Sequence, residues 1–123
     1  MSKLQLKDLS QAMREIDICM MATNDENRGM EARPMSNNQD VEYDGHSYFF
    51  ALEDSSVIRQ LRKSPVICLS YEGHDNLYIS IMGEAYINQK KDEMKDHWVK
   101  DLDVWFEDGI DTEGLAMIHV NAE

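Results

Sequence analysis

Apolar residues in this chain come in short runs of strand length, separated by turn residues, and that spacing leaves little room for anything but a β-rich fold. Ile18-Cys19-Met20-Met21-Ala22 anchors a first strand from Asp17 to Thr23. The tract Asn24-Asp25-Glu26-Asn27-Arg28-Gly29 then supplies turn chemistry, with Gly29 able to take the positive φ of a hairpin. Met30-Glu31-Ala32-Arg33-Pro34-Met35 predicts the second strand. Pro34 cannot donate a ladder hydrogen bond, so it marks an edge, a bulge or a place where something other than a strand meets the backbone. After a polar loop from Ser36 to Gly45, further strands are predicted over Ser47 to Leu52, Val66 to Tyr71, Leu77 to Ile87 with an interruption at Gly83, and Leu115 to Val120. Gly73-His74-Asp75-Asn76 reads as the turn of the hairpin between the fourth and fifth.

Three helices fit between these strands. Leu6, Leu9, Met13 and Ile16 make one apolar stripe on an opening helix, expected to lie over a sheet as a lid. Asp54 or Ser55 caps a second helix, which Pro65 stops, and Asn88 caps a third from Lys90 to Val99 with Met94 and Trp98 on its apolar side. Too few helices separate the strands for a parallel βαβ sheet, so the pattern predicts an antiparallel barrel. Several strands look apolar on successive residues and would need cover on both faces, more than one small chain supplies, which predicts a homodimer.

The 123 residues favour one domain, 1–123, and 42% hydrophobic with 29% charged residues is an ordinary globular balance. A formal charge of −12 argues against neutralising phosphates along a duplex, so no nucleic-acid partner is expected. No apolar run approaches the ~20 residues that span a bilayer, and the start Met-Ser-Lys-Leu-Gln-Leu-Lys lacks a secretory core, so a cytoplasmic chain without a membrane partner is expected. Cys19 and Cys68 lie apart in apolar stretches and read as buried, reduced thiols. His46, His74, His97 and His119 have no paired ligand spacing, and no metal is expected. Phosphate-loop, nucleophile-elbow and dinucleotide fingerprints are missing, which removes support for kinase and hydrolase readings.

Anion binding has residue support. Ser55 and Ser56 stand at a predicted helix N-terminus, where unpaired amides and the helix dipole favour a phosphate, and Arg59 follows one turn on. Ser55 to Ser64 holds Arg59, Arg62 and Lys63 with no acidic residue, a basic island in an acidic chain.

These pieces in their order, Ala32-Arg33-Pro34-Met35 late in the second strand, Tyr48-Phe49-Phe50, Ser55-Ser56 opening a helix, Ser64-Pro65-Val66 and Ile81-Met82-Gly83-Glu84-Ala85, resemble the general stress protein 26 group of the pyridoxamine 5′-phosphate oxidase-like flavoproteins. The resemblance runs from Leu9 to Val120, with Arg-Pro-Met its most specific element. It implies a mainly β fold, a six-stranded antiparallel split β-barrel of Greek-key type with short flanking helices, that dimerises and holds flavin mononucleotide (FMN) at the subunit interface. By the same resemblance Arg33 would meet the flavin phosphate, and Pro34, Met35 and Ser36 would line the isoalloxazine ring. Ser55 and Ser56 would close over the phosphate, with Arg59 in support, while Tyr78 and Ser80 would approach from the partner subunit and Trp105 would stand at the rim.

Two departures remove phosphate partners: Val57 stands where related sequences commonly have lysine, and Ala51 where many have a hydroxyl. The chain also ends at Glu123, before the aromatic tail with which the family often continues, so true pyridoxamine phosphate oxidation is not expected. The reading is an FMN-binding oxidoreductase-like protein of the stress type with an unassigned small-molecule substrate and no assigned catalytic side chain. Its rival is a split-barrel dimer without tight flavin binding, acting as a small-ligand or stress-related interaction module.

Overall fold

The computed structural model describes residues 18–25, 29–36, 45–72, 78–98, 102–103, 106 and 108–122. The predicted opening helix, the Gly73 to Asn76 turn with His74, and Trp105 lie outside them. Six strands, β1 (Ile18–Asp25), β2 (Gly29–Ser36), β3 (His46–Leu52), β4 (Val66–Glu72), β5 (Tyr78–Asn88) and β6 (Leu115–Ala122), form one antiparallel sheet in the order β2-β1-β4-β5-β6-β3. The sheet curls into a half-barrel. Helix α1 (Ser56–Lys63) packs on its inner face, and helix α2 (Lys91–His97) with a 3₁₀ turn at Gly109–Asp111 precedes β6. Among the described residues no helix is long and apolar enough to cross a membrane.

The hairpin register agrees with the turn chemistry: Asp25 pairs with Gly29, whose φ of +84° is open to glycine at little cost. β2 is an edge strand, the place in a sheet where a residue without an amide donor such as Pro34 is tolerated. Gly83 does not interrupt β5, which runs unbroken from Tyr78 to Asn88. It marks the place where β5 changes partner, pairing with β4 through Tyr78–Glu84 and with β6 through Gly83–Asn88. A Cβ at Gly83 would run into the backbone carbonyl of Asn121 on β6, so only glycine lets the strands approach so closely. Gly83→Ala is expected to destabilise the fold by about 1–3 kcal/mol, read as a shift in the urea midpoint.

Two apolar clusters lie on opposite faces of the sheet. The inner one joins Cys19, Met21, Phe49, Ile67, Leu69, Ile118 and Val120 to Val57, Ile58 and Leu61 of α1. The outer one places Phe50, Leu115 and Met117 under Met94, Trp98, Leu102 and Phe106. Phe49 and Phe50 therefore serve different cores, and Leu115 to Ile118 are buried in succession, as their unbroken apolar sequence predicts for strands covered twice. β1 departs from that expectation. Its burial alternates, leaving Ile18 and Met20 exposed, because the outer cluster covers only the β6–β3 half of the sheet.

Helix ends also depart in detail. Ser55 occupies the N-cap position of α1, but its hydroxyl donates back to the Leu52 carbonyl and does not cap the helix. The N-cap of α2 is Lys90, with Asn88 Oδ1 accepting from the Lys90 amide at 2.8 Å.

Cys68 is half-buried, not buried as predicted, whereas Cys19 is enclosed and burial pushes its thiol up to about 12, with a hydrogen bond to Tyr71 acting in the other direction. A thiol whose folded pKa is raised adds stability that is full below its ordinary value of 9.0 and lost as pH rises toward about 12. Alkaline denaturation should show this loss and Cys19→Ala should remove it; an unchanged alkaline profile in the variant would refute the assignment.

Candidate functional site

β2 and α1 meet through a polar cluster built on Arg33 and Gln60. Arg33 is paired across the strands with the core residue Met21, which turns its side chain to the inner face. There Nη1 donates to Thr23 Oγ1 at 2.6 Å and to the Met21 carbonyl at 3.4 Å, and Nη2 donates to Gln60 Oε1 at 2.8 Å. Glu31 Oε1 lies 3.4 Å from Nη2. Among the described residues the Arg33 Nε–H makes no hydrogen bond.

Gln60 uses its whole amide. Oε1 accepts from Arg33 and from Thr23 Oγ1 at 2.5 Å, and Nε2 donates to Glu31 Oε2 at 3.1 Å and Asp25 Oδ2 at 3.3 Å. Thr23 and Gln60 are both buried, so these bonds satisfy groups that would otherwise be costly to enclose. Sequence reasoning missed Gln60. Its signal was a glutamine in line with Val57 and Leu61 on the apolar stripe of a short helix.

The start of α1 has the features of an anion site. Ser55 gives no side-chain cap, the first turn holds no acidic residue, and the amides of Ser56, Val57 and Ile58 precede the first helical hydrogen bond, from Arg59 N to Ser55 O. Gln60 lies four residues on, ~6 Å along the axis, and helical side chains lean back toward the N-terminus. Arg33 thus meets α1 one turn from those amides. Arg59 is exposed on the same helix; Val57 is buried in the inner core and Ala51 is half-buried against it.

The other predicted residues separate by face. Met35 packs against the inner cluster on the same side as Arg33, while Pro34, opposite Met20, is exposed on the outer side. Ser36 ends β2 opposite Ile18. Tyr78 and Ser80 also face outward: Ser80 is paired with Ser70, which is paired with the exposed Met20. Arg33 and Tyr78 therefore stand on opposite faces of one sheet. The outer face over β2, β1, β4 and β5 carries Met30, Met20, Val66, Met82 and Tyr78, the last two 58% and 67% exposed, with the Cys68 thiol 3.6 Å from Ser80 Oγ.

Three histidines that look scattered in sequence come together away from this site. His46 Nδ1 lies 2.9 Å from His119 Nε2, and Tyr48 stacks on both His97 and His119. Among the described residues no group of His, Cys, Asp and Glu could hold a metal ion. A cleft of about 280 Å³ between the turn after β3 and α2, lined by Glu53, Gln89, Lys91, Met94 and Asp111, includes none of the predicted site residues. Lys91 pairs with Asp111 there and holds its carboxyl below the usual aspartate range through the hydrogen bond and charge.

A curled six-stranded antiparallel half-barrel with an arginine on its edge strand meeting the central helix defines the split-barrel class. The chain belongs to the pyridoxamine 5′-phosphate oxidase-like family, whose pattern matches residues 5–123. Among solved structures it is similar to a Clostridium acetobutylicum protein related to general stress protein 26, of the pyridoxinephosphate oxidase family (TM-score 0.84, 18% identity, 100% of this chain and 87% of that one). It is similar too to the general stress FMN/FAD binding protein of Xanthomonas citri (TM-score 0.83, 20% identity, covering 99% and 86%) and to general stress protein 26 of Bacillus anthracis (0.79, 17%, 96% and 88%). No curated protein matches the chain by sequence.

Proposed function

We propose that this chain is an FMN-binding homodimer of the general stress type, with each flavin in a cleft between two copies. The observation that supports this is the division of the predicted site across the sheet: Arg33 and the α1 amides lie on the inner side and Tyr78 and Ser80 on the outer, the division that a site shared by two copies requires. Among the described residues, the exposed Met20, Met30, Val66, Tyr78 and Met82 of the outer face offer an apolar surface for that association.

The residues fit a phosphate-bearing flavin at the anchor. Thr23, Gln60 and the Met21 carbonyl hold the guanidinium in place while its Nε–H stays outside those bonds and one Nη2–H faces Glu31, and the α1 amides are uncapped nearby. A bound flavin supplies the electron-transfer chemistry; the chain supplies the phosphate anchor, the ring wall and exclusion of water. The enclosed, protonated Cys19 thiol is unsuited to nucleophilic work.

The rival, a split-barrel dimer without tight flavin binding, is favoured by Val57 and Ala51, which bring no side-chain donor to the anchor. Titration of the purified protein with FMN, followed by flavin fluorescence, separates them: saturable quenching at one flavin per chain supports the first, and no quenching supports the second.

A further inference from the structure

We propose that Glu31 is the specificity-determining residue of the flavin pocket, a built-in competitor for the FMN phosphate at Arg33. This inference rests on the flavin reading above. Glu31 Oε1 lies 3.4 Å from Arg33 Nη2, beside the N–H that Gln60 does not take, while its Oε2 accepts from Gln60 Nε2. The same amide donates to Asp25. The Glu31 carboxylate therefore already offsets the charge of the Arg33 guanidinium.

A phosphate monoester carrying about −1.5 to −2 charges meets a guanidinium whose charge is already offset and a carboxylate of its own sign beside it. The flavin ring and ribityl chain, shared by FMN and riboflavin, carry no such penalty. Mobility is unequal within the cluster. The Arg33 side chain is 17% exposed and fixed by three acceptors, whereas the Glu31 side chain is 36% exposed on an edge strand and can turn to water. Glu31 must leave for the phosphate to enter, and it opposes the phosphate from wherever it then stands. A carboxylate two residues before the arginine on the same strand face thus sets how far this pocket prefers FMN over riboflavin.

Glu31→Gln tests this, because the amide keeps an acceptor for Gln60 and removes only the charge. Affinities of wild type and variant for FMN and for riboflavin are measured by fluorescence titration, with thermal melting to confirm the fold. The variant is expected to bind FMN about tenfold more tightly and riboflavin within about twofold of wild type. FMN affinity that is unchanged or weaker, or a gain shared equally by riboflavin, would overturn the role of Glu31 while leaving flavin binding in place. Binding of neither flavin by either protein would overturn both.

Discussion

Arg33→Ala is expected to weaken FMN binding about tenfold or more, since a charge-assisted hydrogen bond contributes about 1.5–3 kcal/mol and each 1.4 kcal/mol is a factor of ten. The same change removes the donor shared by Thr23, Gln60 and the Met21 carbonyl and takes the guanidinium away from Glu31. A stability loss of about 2–4 kcal/mol should accompany it. Arg33→Lys separates the two effects: it keeps the charge but cannot serve Thr23 and Gln60 with a planar fork, so it should recover part of the stability and less of the affinity. Equal FMN affinity in folded Arg33→Ala protein would remove Arg33 from the site.

Met82→Glu should convert the proposed dimer to monomer. Met82 is 58% exposed in the single chain, so the substitution leaves the cores intact and the far-ultraviolet circular dichroism unchanged. In a twofold interface the change occurs twice. Each lost methionine burial is worth about 1.5–3 kcal/mol, and two carboxylates must be desolvated, so self-association should weaken about a thousandfold or more. Because the proposed site takes Tyr78 and Ser80 from the second copy, flavin affinity should fall with it, although Met82 is not assigned to the flavin. A Met82→Glu protein that stays dimeric would show that this face is not the interface.

The strands were legible in sequence because their apolar runs and turns are local signals. Val66 to Tyr71 and Leu115 to Val120 fall inside observed strands, and Pro34 marks an edge as its missing amide requires. Double burial was legible where both faces are covered within the chain, at Phe49 with Phe50 and along β6. The apolar run of β1 carries the same composition, yet Ile18 and Met20 on one of its faces are exposed, because composition records that residues are apolar and not what packs on them. The arginine was found from its unusual place in a strand. Its partners were not, since Thr23, Glu31 and Gln60 are brought together by pairings 37, 29 and 10 residues apart that no local pattern encodes. The histidine pair was hidden for the same reason, as His46 and His119 are separated by 73 residues and joined only by the β3–β6 neighbourhood.

The account stands on a site shared by two chains. Sedimentation velocity of the protein with FMN, followed in the visible flavin band, measures both halves of that claim at once. The flavin signal should travel with a species of twice 14.3 kDa. Flavin that stays behind with the solvent, or that moves with a 14.3 kDa monomer, would contradict it.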